Sequence, residues 1–407
     1  MNDMSKMPFH TQNPEFDTGP ISVEPYLSQD HFDAEVTKIF KKDWLWVARD
    51  EEVPNVGDYK VKRLGFAETS IIIMRGKDGV VRGFHNVCRH RGNKVITEAG
   101  EETFGSSRAA VVSCRFHGWV YGADGSLVDV PEENKFPPCF DKAENGLVPV
   151  ETDVWNGFIF INLDKNPAQT LTQSLGTVHP HLDIFPFETM VHTHTYRAEI
   201  KCNWKVGVDA FAEAYHVPTI HSGSFPGLTE YWMDDVTFHG DHRSQGFYAN
   251  GVNPDTPVGS AANEIFAGSI ALKRTEPFVL PATINPGASE NFGFDQTILF
   301  PNTMFHVGVG LWFTHQFWPV TQDTCLWEGK YFLKAPLTNS QIWAQRYAIV
   351  LQRNAWLEDT ATMEDTQAAL KSGAISQMNL QDDEILIRHA ADVIKRRVQT
   401  TESEALV

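Results

Sequence analysis

Two short segments of the chain, CRHRG and CRFHG, each contain one cysteine and one histidine. The first segment supplies Cys88 and His90, the second supplies Cys114 and His117, and each lies in a loop between predicted strands. Two thiolates and two imidazoles form a complete donor set for a transition metal. Because one ligand of each type recurs in two matched loops, we prefer a shared metal centre to a coincidence of buried cysteines and core histidines. A fold of this chain therefore has to bring the two loops together.

Two kinds of metal centre compete for this donor set. A zinc finger of the Cys₂His₂ type pairs its two cysteines closely and its two histidines closely. Here each loop mixes one cysteine with one histidine, which suits a Rieske [2Fe–2S] centre, where two histidines hold one iron and two cysteines hold the other. Structural zinc is the alternative, and it predicts a protein that is colourless and redox-silent.

The segment CRHRG followed by CRFHGWVYGADGSL resembles the Rieske domain of the large (alpha) subunits of aromatic-ring-hydroxylating oxygenases. The resemblance implies that Cys88 and Cys114 hold one iron of the cluster, and that His90 and His117 hold the other. The 23 residues between His90 and Cys114 exceed the usual spacing of the family. Since the excess around EAGEETFGSSRAA is polar and rich in glycine and serine, we expect a surface loop inserted between the ligand segments.

A second pair of histidines lies in the segment DAFAEAYHVPTIH, which begins at Asp209. A helix advances about 100° per residue, so His216 and His221 would lie about 140° apart on a regular helix. However, Pro218 lacks an N–H group and disfavours helix at the preceding residue. We therefore expect the helix predicted for residues 209–215 to end or bend here, so that both imidazoles can converge on one metal.

The same family resemblance extends to these histidines. NWK at residues 203–205, followed by EAYHVPTIH, resembles the NWK…(D/E)xYHxxxxH signature of the oxygenases, and EDTATMEDTQ resembles their EDxxxxExxQ helix. The resemblance implies a mononuclear Fe(II) held by His216, His221 and Asp359, because such sites combine two histidines with one carboxylate. Glu358 and Glu364 are the competing carboxylates.

Two further acidic residues are candidates for catalytic roles. By the resemblance, Glu213 corresponds to the acidic residue that bridges a Rieske histidine of one subunit to an iron-ligating histidine of the next. Asp209, one helical turn earlier, is expected either to support that bridge or to bind water near the iron. Solvent exposure of Asp209 is the alternative.

The resemblance implies an α+β protein with two folded parts. Residues 44–164 are expected to form an all-β Rieske [2Fe–2S] domain, in agreement with a pattern of short strands and turns. Residues 165–407 are expected to form a helix-grip (SRPBCC or Bet v1-like) catalytic domain with a large antiparallel sheet, and helix formers dominate residues 340–370. Residues 1–43 are interpreted as an N-terminal helical segment that belongs to the catalytic domain.

The composition restricts the partners of the chain. Five cysteines in 407 residues are too few for a disulfide framework, so we expect a reducing, cytoplasmic location. The formal charge of −18 argues against nucleic acid and anionic membranes as partners. The polar N-terminal segment contains no apolar region for export, and no stretch approaches the roughly 18 apolar residues of a membrane span.

The implied chemistry is reductive activation of O₂. An NAD(P)H-dependent reductase, in some systems through a ferredoxin, would supply electrons for hydroxylation, dihydroxylation or demethylation of the substrate. The chain contains no Gly-rich dinucleotide-binding turn after a strand, so we expect the reductase to be a separate polypeptide. Because the acidic bridge runs between subunits, the resemblance implies a homotrimer, and a separate beta subunit is an open alternative. An electron carrier without oxygenase activity is a further alternative.

The substrate is predicted from aromatic residues in the second half of the chain. They favour an aromatic or hydrophobic substrate, although an aromatic cage for a quaternary ammonium group uses the same side chains. The candidate pocket residues are Phe211, Phe292, Phe294, Phe305, Leu311, Phe313 and Phe317.

Six lysines and arginines between Arg82 and Trp119 could dock an acidic electron donor or only form local hydrogen bonds.

Overall fold

A computed structural model describes residues 8–225, 228, 230–250, 256–270 and 279–399. The chain folds into two compact units. One is Val36–Ser174, and the other joins the N-terminal segment up to Glu35 to the chain from Leu175 onward. The first unit is longer than the predicted all-β domain, by eight residues at its N-terminal end and ten at its C-terminal end.

Within the described residues, the strands and helices follow one another in a clear order. The strands are β1 (Ile21–Ser22), β2 (Leu45–Arg49), β3 (Asp58–Leu64), β4 (Thr69–Arg75), β5 (Val81–His85), β6 (Glu102–Ser106), β7 (Val111–Ser113), β8 (Val120–Gly122), β9 (Leu127–Asp129), β10 (Pro149–Trp155), β11 (Phe158–Asn162), β12 (Val191–Ile200), β13 (Tyr231–His239), β14 (His242–Ala249), β15 (Phe292–Leu299), β16 (Thr303–Gly308), β17 (Leu311–Thr321), β18 (Thr324–Leu333) and β19 (Gln377–Met378). The helices are α1 (Phe9–Gln12), α2 (Glu24–Leu27), α3 (Gln29–Glu35), α4 (Leu171–Leu175), α5 (Val178–Leu182), α6 (Trp204–Phe211), α7 (Val217–Ile220), α8 (Pro257–Ile270), α9 (Asn339–Leu370) and α10 (Ile385–Gln399).

The smaller unit contains two antiparallel sheets. The larger sheet has the order β2-β11-β10-β5-β4-β3-β6, and the smaller has the order β7-β8-β9. The hairpin predicted at RGKDG joins β4 to β5, and Ile72 pairs with Phe84 across it. The apolar run predicted as a buried strand is β11, whose five residues are all buried. The two predicted ligand segments directly follow β5 and β7, so strand ends position both of them.

The polar insertion between the ligand segments is not entirely a loop. Five of its residues form β6, which pairs with β3 in antiparallel register at one edge of the larger sheet. Glu102 on β6 lies 2.7 Å from the Lys60 amine and 3.5 Å from the Lys62 amine, and both lysines are fully buried on β3. A buried ammonium is costly unless it is paired. The prediction of a surface loop is therefore wrong here, because part of the insertion forms a paired strand that places a carboxylate against two buried lysines.

The larger unit is built on an antiparallel sheet with the order β12-β18-β17-β16-β15-β14-β13. Helices α6 and α9 lie against one face of this sheet. The approach of α6 is close because Gly207 faces Phe317 on β17, where a Cβ atom would lie 2.3 Å from the ring. The long helix α9 begins at a capping box formed by Thr338 and Gln341. Among the described helices, none combines the length and hydropathy needed to cross a bilayer.

Candidate metal centres

The two cysteine–histidine segments fold into turns of the same design. In each turn the glycine four residues after the cysteine donates its N–H to the cysteine carbonyl, at 3.0 Å from Gly92 to Cys88 and 2.9 Å from Gly118 to Cys114. Both glycines have positive φ, 76° and 75°, a conformation that other residues adopt only with strain. The amide of each cysteine also donates to the carbonyl five residues later. Glycine at these two positions therefore lets each loop present a cysteine and a histidine together.

The four side chains of this first site lie together. Cys88 and Cys114 are buried, His90 is half-buried and His117 is exposed, and the two histidine rings have centroids 4.5 Å apart. The His90 ring stacks on Trp119, and its Nδ1 atom is buried and makes no hydrogen bond to the described residues. Burial lowers the pKa of His90, helped by the nearby His117, so the neutral imidazole is favoured. A neutral imidazole with a buried nitrogen that no described residue contacts fits iron ligation at this site.

Sequence reasoning missed Tyr121, which contacts a predicted sulfur ligand. Its hydroxyl oxygen accepts the Arg89 N–H at 3.0 Å and lies 3.2 Å from Cys88 Sγ, where the hydroxyl can donate to a thiolate ligand. Burial raises the pKa of Tyr121, so the hydroxyl remains protonated and available as a donor. The sequence signal was weak, because a tyrosine in the strand segment WVYG equally suits a packed core position.

The turn that carries the second pair of histidines differs from its prediction in one respect. Helix α6 ends at Phe211, so the prediction of helix over residues 209–215 is wrong beyond that residue, and Glu213 lies in the following turn. Pro218 falls in the first turn of α7, where its missing N–H costs little. The break that was expected at Pro218 lies earlier, at Phe211, and the His216 and His221 rings converge with centroids 5.2 Å apart.

Asp359 on α9 completes this cluster. Its Oδ1 atom lies 3.5 Å from His216 Nε2 and 3.2 Å from His221 Nε2, and one ligand atom from each residue falls within 4.8 Å of the others. Asp359 and His221 are buried, and Asp359 Oδ1 has no hydrogen-bond partner among the described residues. A buried carboxylate oxygen that faces two imidazole nitrogens matches the donor set of a mononuclear iron site.

The outer nitrogen of each histidine is held by a different glutamate. His216 Nδ1 lies 2.5 Å from Glu213 Oε1, and His221 Nδ1 lies 2.9 Å from Glu358 Oε2. An ionised carboxylate only accepts, so each imidazole carries its proton on Nδ1 and leaves Nε2 free toward Asp359. Of the competing carboxylates, Glu358 thus contacts the outer side of His221.

Three other residues of the family-like motifs orient the helices. Glu364 accepts the Lys201 N–H at 3.0 Å, and Gln367 Oε1 accepts the Asn203 N–H at the same distance. The Asn203 side chain in turn accepts the Lys205 N–H and caps α6. These bonds hold the start of α6 against α9, and therefore fix the histidine turn relative to Asp359.

Asp209 lies in a different environment from Glu213. The Tyr26 hydroxyl donates to Asp209 Oδ2 at 2.6 Å, and Asp209 is partly buried. Burial raises the pKa of Asp209 to about 6, against the opposing effect of this hydrogen bond. Asp209 also lines a cavity of about 540 Å³ together with Lys205 and Arg388. Full solvent exposure is excluded by this position, while a role in supporting Glu213 stays a prediction.

The candidate pocket residues divide between the two faces of the large sheet. Phe211, Phe294, Phe313 and Phe317 lie on the side that α6 covers, where Phe211 and Phe317 have centroids 5.9 Å apart. Phe305 points to the opposite face and packs with Phe187 and Trp312, so it belongs to the core there.

Part of the predicted basic surface is locally neutralised. Arg82 pairs with Asp78 at 2.6 Å, and Lys94 pairs with Glu98 at 2.8 Å. Docking of an acidic electron donor on the remaining charges stays a prediction.

Comparisons with protein families agree with this geometry. The model of the ring hydroxylating alpha subunit (catalytic domain) matches residues 187–400, and that of the Rieske [2Fe–2S] domain matches residues 43–148. The first match alone covers more than half of the chain.

Similar curated proteins include monooxygenases and dioxygenases. The carnitine monooxygenase oxygenase subunit of Acinetobacter baumannii is 30% identical over 229 residues, which cover 54% of this chain and 56% of the relative. The chlorobenzene dioxygenase subunit alpha of Cupriavidus sp. is 32% identical over 213 residues, covering 50% of this chain and 45% of the relative. The chain therefore spans about half the length of the curated relatives it matches.

Solved structures match over almost the whole chain. One of them is a quaternary ammonium Rieske monooxygenase, whose structure was reported to give insights into carnitine oxidation and inter-subunit electron transfer. It superposes with a TM-score of 0.74 and 25% identity, and the match covers 97% of this chain and 98% of that chain. Naphthalene 1,2-dioxygenase from Rhodococcus sp. superposes with a TM-score of 0.73 and 19% identity over 99% of each chain, which shows a shared fold.

Both halves of the family architecture are present in their expected order. One is the Rieske domain for the [2Fe–2S] cluster, and the other is the catalytic domain, which binds mononuclear iron. With the fold, the family matches and the paired ligand clusters in agreement, this chain belongs to the ring-hydroxylating Rieske oxygenases as an alpha subunit.

Proposed function

We propose that the chain is the terminal oxygenase component of a multicomponent system. It uses O₂ and electrons from an NAD(P)H-dependent reductase, with or without a ferredoxin, to hydroxylate or dihydroxylate an aromatic or hydrophobic substrate. The observation that carries the proposal is the convergence of His216, His221 and Asp359, with a glutamate on the outer nitrogen of each histidine. Two histidines and one carboxylate leave coordination positions open for O₂.

In this proposal each residue of the two sites has a separate task. Cys88, His90, Cys114 and His117 hold the [2Fe–2S] cluster, and Tyr121 donates to one of its sulfur ligands. The mononuclear iron supplies activation of O₂ when it is bound. Glu213 and Glu358 keep the Nε2 atoms of the two histidines unprotonated and oriented for that iron.

We further propose a homotrimer in which Glu213 connects neighbouring subunits. Its carboxylate already contacts His216, and the exposed His117 ring is accessible to a neighbour. A carboxylate has lone pairs for more than one donor, so Glu213 can accept from both imidazoles at once. A separate beta subunit would add to this trimer without changing the bridge.

A second candidate function is oxidation of a quaternary ammonium compound. Two observations favour it: relatives include carnitine and glycine betaine monooxygenase subunits, and Trp356 packs near Phe313 and Tyr331. Aromatic faces attract quaternary ammonium groups through cation–π interactions.

The first test is a metal and sulfide analysis of protein purified anaerobically. Both sites together predict about three irons and two acid-labile sulfides per chain, with the EPR signal of a reduced Rieske cluster. Zinc without sulfide would overturn the oxygenase proposal, and two irons with two sulfides would favour the electron carrier. Loaded enzyme with a surrogate reductase is then given chlorobenzene, biphenyl, L-carnitine or glycine betaine. Product from the first two supports the main proposal, and product from the last two supports the second candidate.

A further inference from the structure

Two histidines lie next to each other on the sheet face that α6 and α9 cover. His306 is on β16 and His315 is on β17, and the register pairs His306 with Phe313 and His315 with Met304. Their ring centroids are 5.3 Å apart and the ring planes are perpendicular. Both side chains are buried. Neither residue belongs to the two metal-ligand sets, so their polar atoms need another explanation.

The hydrogen bonds determine where each ring carries its proton. The Trp327 indole N–H can only donate, and it lies 3.0 Å from His315 Nδ1. His315 Nδ1 is therefore the acceptor, and the neutral ring has its proton on Nε2. Burial lowers the pKa of His315 well below its usual value, so the ring is neutral.

A chain of amides fixes the second ring in the same way. The Gln245 amide nitrogen donates to the Ala212 carbonyl and also to Gln296 Oε1 at 2.7 Å. The Gln296 amide nitrogen consequently faces the Phe211 carbonyl and His306 Nε2, the latter at 2.9 Å. His306 Nε2 is thus an acceptor and Nδ1 carries the proton. Burial lowers the pKa of His306 to about 3, which keeps this ring neutral as well.

Both remaining N–H groups lack a partner. His306 Nδ1 and His315 Nε2 are buried and make no hydrogen bond to the described residues. Folded proteins rarely leave a buried donor unsatisfied, because the lost hydration is not replaced. Two such donors on adjacent rings indicate a bound group that completes them.

The rings lie beside the helix that carries Asp359. His315 stacks on Phe211 at 4.1 Å and meets Trp356 edge-on at 4.8 Å, and Trp356 precedes Asp359 by one turn of α9. His306 stacks on Phe313 at 4.4 Å. The two rings therefore belong to an aromatic wall that includes Trp356, one turn of α9 before Asp359.

We propose that His306 Nδ1–H and His315 Nε2–H are specificity-determining donors for an oxygen acceptor, a carbonyl or carboxylate oxygen, on the substrate. This inference rests on the proposed oxygenase function and names the substrate class of the same site. Phe211 and Phe313 contact the apolar body of the substrate while the two imidazoles bind its oxygen. A hydrocarbon of the same shape would leave both donors unsatisfied, and a site built for hydrogen bonds rejects such an analogue strongly.

The test measures equilibrium binding to the resting holoenzyme by calorimetry, with compounds that differ in one polar group. The pairs are 1-indanone with indane and benzoate with toluene, so that one arm tests a carbonyl and the other a carboxylate. We expect the oxygen-bearing member of at least one pair to bind about ten-fold more tightly or better.

Single substitutions then test each donor. In His306→Gln the new side-chain carbonyl can accept from Gln296 in place of Nε2, while the Nδ1 donor is lost. We expect affinity for the preferred oxygen compound to fall about ten-fold and affinity for its hydrocarbon partner to change little. His315→Asn removes the Nε2 donor and retains an acceptor for Trp327. Thr314→Val, a buried neighbour on the opposite face of β17, is the matched control and should preserve the preference.

Several results would overturn the proposal. These are equal affinity for both members of each pair, no binding of either oxygen compound, or a preference that both histidine variants retain. A crystal structure with 1-indanone in which internal waters still satisfy both N–H groups would also overturn it. Since binding is measured without turnover, a preference in protein that makes no product would refute the oxygenase function but not the two-donor site. Oxygenation of indane by a protein that binds 1-indanone and indane equally well would refute the two-donor site but not the oxygenase function.

Discussion

The Nδ1 atom of His221 lies 2.9 Å from Glu358 Oε2, on the side of the ring opposite Asp359. Glu358 and Asp359 are adjacent on α9, and the two carboxylates contact the two different nitrogens of one imidazole. One carboxylate fixes the proton of the ring, and the other faces the nitrogen that is available to a metal. His221 is thereby held in one orientation and one tautomer.

Loss of this outer carboxylate should weaken iron binding. We expect Glu358→Ala to reduce Fe(II) affinity by about 10- to 100-fold, because the His221 ring loses its orienting partner. Glu358→Gln is the control, since its side-chain oxygen can still accept from Nδ1. Anaerobic Fe(II) titration of the apoprotein measures both variants. Equal affinities in wild type and Glu358→Ala would show that the contact has no role in the site.

Removal of the proposed carboxylate ligand should separate the two metal centres. Asp359→Ala is expected to lose the mononuclear iron while the visible spectrum of the cluster is unchanged, because Asp359 contacts only the second site. Asp365→Ala, which removes an exposed carboxylate six residues later on the same helix, is the matched control and should keep its iron. Iron analysis with the absorption spectrum is the measurement. Full iron retention in Asp359→Ala would place the ligand elsewhere.

Neutralising Glu213 should impair electron transfer rather than metal binding. Glu213→Gln keeps an acceptor for His216 Nδ1 but loses the charge that, in the proposed bridge, stabilises two imidazoles across a subunit boundary. We expect both centres to stay occupied while substrate-dependent oxidation of the reduced cluster slows by at least ten-fold. Single-turnover stopped-flow absorption follows the cluster, and wild-type rates would discredit the bridging role.

The Tyr121 hydroxyl should raise the reduction potential of the cluster. Hydrogen bonds to ligand sulfurs stabilise the reduced, more negative state, so Tyr121→Phe is expected to lower the potential. Tyr59→Phe is a suitable control, because Tyr59 packs at the edge of the same core. Protein-film voltammetry gives both potentials. An unchanged value in Tyr121→Phe would mean that the hydroxyl does not act on the cluster.

Asp209 should make the larger unit less stable as the pH rises. Its pKa is raised from 3.8 to about 6, so the folded state binds this proton more tightly than the unfolded state does. The resulting stabilisation is present below pH 3.8 and is lost as the pH rises through about 6. The loss is on the order of 1–3 kcal/mol. Asp209→Asn should flatten this part of the curve in urea unfolding between pH 4 and 7. A variant with the wild-type slope would assign the titration to another group.

The sequence determined the metal chemistry because the ligand residue types and their short spacings can be read from it directly. Cys-x-His and Cys-x-x-His, each ending in a glycine with positive φ, specify two matched turns by short-range sterics alone. Pro218 indicated an interrupted helix, but α6 already ends at Phe211 and Pro218 lies in the first turn of α7, so the proline does not set the break. Hairpins and the long helix α9 were also predictable, since turn residues and helix formers act over a few positions.

Only the tertiary structure decided which distant groups complete these sites. Glu358 and Glu364 are equally acidic in the sequence, but the packing of α9 directs the first to His221 and the second to the Lys201 amide. The inserted strand β6 was missed because its polar residues resemble a loop, and only the fold shows that its Glu102 lies against two buried lysines on β3.

The pair of His306 and His315 shows the same limit. Each is an isolated histidine in an aromatic strand, and nothing local indicates a shared site. Their adjacency follows from strand register, and their tautomers follow from Trp327 on β18 and Gln296 on β15. Metal ligands are predictable from short-range spacing, whereas orientation, protonation and substrate contacts depend on partners that only the folded sheet and helices bring together.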